Sequence, residues 1–325
     1  MKQKALFLIL FSTIAGVASG QCLRPRSLQK GDRVALVSPS SATDSTTIER
    51  GCAILREWGY VPVVAKNALK SHHGFAGTPQ ERADDLLWAL RDTTIRAVMC
   101  TRGGDGAVQI LPLLKARDFR NNPKWLIGFS DVTALHSASV TAGVMSIHGS
   151  MAHAIASLEG KDTVSTTLRR MLEGEWPDYH VPAHKLNQSG QTEGMLVGGN
   201  FSVLSGLAGS PYDCLKDTEK GLILFIEDVN ESLTRVDRML HQLQIRGVLP
   251  RLKGIVVGQF TKYKHPENDF DDMYDMLHHY LKDYPIPVVY DFPVGHARLR
   301  NFPLIEGARV RLTVTNEETH LEFVK

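Results

Sequence analysis

Trp125-Leu126-Ile127-Gly128-Phe129-Ser130-Asp131-Val132-Thr133-Ala134-Leu135 holds the sharpest change of periodicity in this chain. Three apolar residues predict a strand, and Val132 to Val140 predicts a helix, with only a short turn between them. That turn places Ser130 at a sheet edge, its hydroxyl at a helix N-terminus, where the helix dipole stabilises an alkoxide or oxyanion. Serine is equally a favoured N-cap, and aspartate is ordinary in a first turn. The stretch alone therefore leaves a structural and a catalytic reading open.

The residues upstream repeat the pattern. Val34-Ala35-Leu36-Val37 predicts a strand ended by Ser38-Pro39-Ser40, Thr46 to Trp58 a helix closed by Gly59, and Val61 to Val64 the next strand. Thr78-Pro79-Gln80-Glu81 is a capping box with proline at the first helical position, opening a helix to about Leu90. Ile95 to Cys100 is a strand, followed by the loop Thr101-Arg102-Gly103-Gly104-Asp105-Gly106 and a helix to about Leu114. Strands alternating with helices imply right-handed crossovers and a mostly parallel sheet, a doubly wound α/β domain over residues 21–172.

Downstream, residues 173–192 lose periodicity and collect Pro177, Pro182, Asn187, Ser189 and Gly190, which reads as a linker. Residues 193–325 then read as a smaller, strand-rich mixed α/β domain. Its strands fall near Met195–Val197, Leu222–Ile226, Ile255–Val257, Val288–Tyr290, Val310–Val314 and Thr319–Val324, with helices near 231–246 and 271–283.

Composition agrees with two globular domains: 325 residues, 43% hydrophobic and 22% charged. With 37 basic against 35 acidic residues there is no excess to hold a nucleic acid. Lys2 and Lys4, the largely apolar run Ala5–Ile14 and the small residues Ala18-Ser19-Gly20 match a secretory signal, cleaved near Gly20 and leading to the periplasm. No apolar run is long enough for a stable membrane span. Cys22, Cys52, Cys100 and Cys214 are too sparse for a disulfide scaffold, and none forms a C-x-x-C pair. Thirteen histidines raise a metal site, but there is no H-E-x-x-H. The adjacent pairs His72-His73 and His278-His279 point apart on any regular element, so no metal is expected.

In open α/β sheets ligands bind beyond the carboxyl ends of the strands, where the glycine loop and Ser130 lie. The backbone N–H of Asp131 and one from Gly103-Gly104 are candidates for an oxyanion hole. Neither G-x-G-x-x-G nor a P-loop lysine is present, so no nucleotide cofactor is expected. Leu222-Ile223-Leu224-Phe225-Ile226 runs directly into Glu227-Asp228, and Pro293-Val294-Gly295-His296 sets a histidine after a strand and tight turn. A buried Glu227 needs a partner such as an imidazole N–H. Ser130, His296 and Glu227 thus compose a possible nucleophile, base and orienting group. Their order is that of α/β-hydrolases, but the serine motif is not G-x-S-x-G.

Five ordered blocks carry a family resemblance. They are Arg102-Gly103-Gly104, Gly128 to Leu135, Glu193-Gly194-Met195-Leu196-Val197-Gly198-Gly199-Asn200, Phe225 to Glu231 and Gly295-His296. In them the chain resembles the LD-carboxypeptidases, the muramoyltetrapeptide carboxypeptidases of serine peptidase family S66. The resemblance implies a Rossmann-like N-terminal domain, a strand-rich C-terminal domain and a homodimer. It implies Ser130 as nucleophile, His296 as base, Glu227 as orienting carboxylate, and Asp131 and Gly104 N–H groups as the oxyanion hole. The implied substrate is a murein tetrapeptide, which loses its terminal D-alanine. The D-alanine carboxylate needs a cation, for which Arg102 is the first candidate and Arg298 or Arg300 the alternatives.

Asp105, Gln109 and Ser150 depart from the family pattern, where an aromatic residue, an arginine and a proline are common. Two alternatives stand beside this reading. One is a self-immunity peptidase of the same family, acting on aminoacyl-nucleotide antibiotics. The other is a non-catalytic periplasmic peptide-binding protein.

Overall fold

A computed structural model describes residues 21–264 and 270–324. The proposed signal segment, residues 1–20, lies outside the described residues. The strands are β1 Arg33–Val37, β2 Val61–Val64, β3 Ile95–Cys100, β4 Trp125–Gly128, β5 Ser146–His148, β6 Asp178–Pro182 and β7 Gly190–Asn200. They continue with β8 Leu222–Val229, β9 Gly254–Thr261, β10 Val288–Val289, β11 Leu304–Glu306, β12 Arg309–Val314 and β13 Glu318–Phe323.

The first sheet has the order β11-β5-β4-β3-β1-β2, with β1 to β5 parallel. Its central strands are apolar and buried along both faces: every residue of β4 is buried, and all but one of β3. Thr78 caps the helix Pro79–Arg91 as expected. Its Oγ1 accepts from the Glu81 N–H at 3.3 Å while Glu81 Oε2 accepts from the Thr78 N–H at 2.9 Å. The second sheet has the order β10-β9-β8-β7-β12-β13-β6. Strands β7 to β10 are parallel, whereas β12, β13 and β6 are antiparallel and, in β12 and β13, alternate buried with more exposed residues. One face of that half meets water.

Several elements differ from the sequence reading. Residues 173–192 are not a plain linker: β6 lies within them, pairs with β13, and forms the sheet edge. Strand β11 belongs to the C-terminal half of the chain yet pairs antiparallel with β5, closing the edge of the first sheet. Three-residue strands such as β5 and β11 are too short to show a period. The helix expected up to Leu114 is broken, Ala107–Ile110 passing into a 3₁₀ turn at Leu111–Leu113 where Pro112 removes a backbone donor.

The helix after Ser130 begins as a 3₁₀ turn, Ser130–Val132, and continues as Thr133–Thr141. Its residues 133–140 are all buried, packed against β5 on one side and β7 and the helix Phe201–Gly206 on the other. It is therefore the central piece between the two sheets. No helix among the described residues is long and apolar enough to cross a membrane. Cys52, Cys100 and Cys214 are buried thiols without a disulfide.

Candidate active site

Each chemical group is placed by a different element: Ser130 by the turn after β4, Glu227 by β8 and His296 by a turn that follows β10. Ser130 follows β4 with φ +63°, a left-handed conformation that costs a non-glycine residue about 1–3 kcal/mol. Burial of Val132, Thr133 and Ala134 on the following helix holds the serine in it. Glu227 lies on β8 itself, fully buried, rather than beyond its end. His296 follows Gly295 in the turn after Val294.

The three side chains meet. His296 Nε2 is 3.1 Å from Ser130 Oγ, and His296 Nδ1 is 2.6 Å from Glu227 Oε2. The second Glu227 oxygen is buried without a hydrogen-bond partner among the described residues, so the imidazole takes the carboxylate's only bond there. Burial on its own lowers the His296 pKa. The hydrogen bond to Glu227 and that residue's charge outweigh it and hold His296 above its ordinary 6.5.

Gly295 makes this contact possible. Its φ is +139°, and a Cβ there would stand 3.2 Å from both Cβ and Oε2 of Glu227. Asn301 fixes the same turn, its Oδ1 accepting the Gly295 N–H at 3.1 Å. Asn301 is buried and was not singled out by sequence, since nothing in its local pattern connects it with residue 295.

The glycine loop is held against the Ser130 turn by Asp131, whose carboxylate accepts the Ala107 N–H at 2.8 Å. Burial raises the pKa of that carboxylate. Gly104, at φ +107°, packs so closely on Ser41 that a Cβ would fall 2.1 Å from its Oγ. Arg82, also missed by sequence, is 1% exposed beneath this loop. Its Nη1 donates to the Pro39 and Gly106 carbonyls at 2.7 Å each, and its Nη2 to Gln109 Oε1 at 2.5 Å. An arginine at position 109 would instead set a second cation beside Arg82. Asp105 is exposed, its N–H donating to Ser41 Oγ at 3.1 Å.

Two further residues lay inside the quoted blocks without an assigned role. Asn200 Nδ2 donates to Asp228 Oδ1 at 2.9 Å, and Asp228 Oδ2 accepts the Ser202 N–H at 2.8 Å. Burial, reinforced by neighbouring Glu227, pushes the Asp228 carboxyl up to about 6, against the pull of these hydrogen bonds.

A cleft of about 370 Å³ opens over His296, lined by Phe129, Ser150, His153, Arg298 and Asn301 among others. The His296 and Phe129 ring centroids are 5.1 Å apart. The three candidate cations are placed differently. Arg298 lines the cleft and donates to the Ser157 carbonyl at 2.6 Å. Arg300 is paired with Asp291 at 3.1 Å, and Arg102 donates to the Ala42 carbonyl at 3.3 Å.

Known proteins share this arrangement of domains. Residues 34–149 match the LD-carboxypeptidase N-terminal domain of peptidase S66, and residues 193–312 match the LD-carboxypeptidase C-terminal domain. A putative carboxypeptidase of Synechocystis is 34% identical over 89% of this chain and 94% of its own length. The murein tetrapeptide carboxypeptidase of Pseudomonas aeruginosa is 32% identical over 86% of this chain and 94% of its own. Among solved structures, a muramoyltetrapeptide carboxypeptidase from Oxalobacter formigenes superposes with a TM-score of 0.80 at 27% identity. That match covers 90% of this chain and 99% of the other.

Proposed function

The chain belongs to the LD-carboxypeptidase family, and we propose that it is a serine-type peptidase releasing the terminal D-alanine of murein tetrapeptides. The observation that carries this reading is the unbroken relay from Ser130 Oγ through His296 to buried Glu227, at 3.1 and 2.6 Å.

In this mechanism Ser130 Oγ attacks the carbonyl preceding D-alanine, and His296 Nε2 takes its proton. Glu227, bonded to Nδ1, fixes the tautomer and stabilises the imidazolium. The Asp131 and Gly104 N–H groups face the developing oxyanion. His296 then protonates the departing D-alanine amine. Water, deprotonated by the same imidazole, hydrolyses the acyl-enzyme and restores the serine. Arg298 is the cation best placed for the D-alanine carboxylate, because it shares a cleft with His296 while Arg300 is occupied by Asp291. Export directed by residues 1–20 and assembly as a homodimer complete the reading.

The test is D-alanine release from a murein tetrapeptide, with a pentapeptide ending in D-Ala-D-Ala and a Ser130→Ala protein as controls. Release from the tetrapeptide alone, reduced by roughly 10⁴–10⁶ in the variant, is the expected result. Turnover that survives Ser130→Ala overturns the serine mechanism. Saturable binding without turnover would instead favour a binding protein.

A further inference from the structure

The outward face of the second sheet carries another cluster of chemistry-bearing side chains. In the antiparallel pairing of β6 with β13, His180 stands directly opposite His320, and Asp178 opposite Glu322. The two imidazoles stack with centroids 4.3 Å apart and 13° between their planes. His320 Nε2 bonds an Asp178 carboxylate oxygen. His180 Nε2 lies 3.7 Å from the other Asp178 oxygen, while its Nδ1 lies 3.2 Å from Glu318 Oε2. One ligand atom each from Asp178, His180 and His320 lies within 4.8 Å of the others.

The surrounding charges leave this set to itself. Glu322 is bonded to Arg311 at 2.7 Å, and Arg311 also binds Glu193. Among the described residues, the ion-pair partners of Asp178 and Glu318 are His180 and His320. The side chains of Asp178 and His180 are more than half exposed, at 57% and 54%.

We propose that Asp178, His180 and His320 form a binding site for a divalent transition-metal ion of the zinc class. Two imidazole nitrogens and a carboxylate oxygen are a borderline donor set, suited to zinc, nickel or copper rather than to calcium or magnesium. Zinc holds such donors at about 2.0–2.2 Å, so their mutual spacing is reached by small rotations of exposed side chains. Glu318 accepts the His180 Nδ1–H and thereby presents Nε2 to the ion, as carboxylates behind metal-bound histidines do. Water completes the coordination. The ion ties edge strand β6, in the connection between domains, to β13, and is a structural clamp separate from the peptidase chemistry. His320 lies 140 residues beyond His180 in sequence, where no spacing motif connects it with the Asp178–His180 pair.

The test is calorimetric titration of purified, untagged, chelator-treated protein with zinc chloride and, separately, nickel chloride. One ion per chain at micromolar affinity is expected, with Tm raised by about 2–4 °C at saturating zinc. His180→Ala and His320→Ala should each weaken binding at least tenfold, and Glu318→Gln by less. A His72→Ala/His73→Ala protein should bind as well as the parent. Absence of binding by the parent overturns the proposal, leaving an ion-paired surface patch. So does binding unchanged in the His180→Ala/His320→Ala protein. Metal-free Tm values report whether each variant folds, and His180→Gln, at a half-exposed position, serves if the double variant does not.

Discussion

Thr133 Oγ1 accepts the backbone N–H of Asn200 at 3.0 Å. Thr133 opens the helix behind Ser130, and Asn200 ends β7, beside Glu227 on β8. The Asn200 side chain in turn holds Asp228, the residue after Glu227. One buried hydroxyl therefore ties the element that carries the proposed nucleophile to the strands that carry its orienting carboxylate. Thr133→Val keeps the shape but leaves the Asn200 N–H unpaired, at an expected cost of about 1–3 kcal/mol. Urea unfolding should show that loss together with a lower kcat, and Thr133→Ser should recover most of both. Unchanged stability and turnover in the valine protein would show that the contact couples nothing.

The pH dependence follows from His296. Its folded pKa is raised above 6.5, chiefly by Glu227 and further by the Asp228 charge, and the proposed base must be neutral to work. The acid limb of kcat/KM should therefore lie above 6.5 and move to lower pH in Glu227→Gln, with kcat reduced by roughly 10³–10⁴. The raised pKa also stabilises the fold at low pH, an effect lost as pH rises through the folded value. Glu227→Gln should accordingly lose more stability at about pH 5 than at about pH 9. An acid limb that stays in place in the variant would remove His296 as the titrating base.

Gly295→Ala tests how closely the turn must approach Glu227. The added methyl meets Glu227 at 3.2 Å in a backbone conformation suited to glycine. Strain of about 1–3 kcal/mol is expected. A shift of His296 by about 1 Å would lower kcat roughly 10²-fold. Circular dichroism should remain that of the parent, and full activity would show that the turn tolerates a side chain.

Arg298 and Arg300 should separate in kinetics. If Arg298 binds the substrate carboxylate, Arg298→Gln raises KM about tenfold with kcat little changed, the loss of one charge-assisted contact. Arg300→Gln breaks the partly exposed pair with Asp291, worth at most about 1 kcal/mol, together with hydrogen bonds outside the cleft, and should leave KM unchanged. The reverse pattern would transfer the role to Arg300.

Much of this architecture is legible in local pattern. The apolar runs of β1, β3, β4 and β8, the capping box at Thr78 and the change of period at Ser130 are properties of neighbouring residues, and the chain displays them in order. The blocks around Ser130, Glu227 and His296 likewise pointed to the three side chains that meet. Less legible were β5, β6 and β11, because short strands gain their stability from partners supplied elsewhere. Arg82 and Asn301 escaped notice for a related reason, as their hydrogen bonds run to loops whose positions they help to fix.

By itself, the sequence determined the alternating elements of the first domain, the family and the residue types available for chemistry. Periodicity, capping and turn propensity act over a few residues and need no tertiary partner. Only the tertiary structure decided that β11 returns to the first sheet and that Arg298, rather than Arg300, enters the cleft. It also brought His180 opposite His320. Those outcomes depend on burial and register between segments more than 100 residues apart, and local sequence carries no record of distance across a fold.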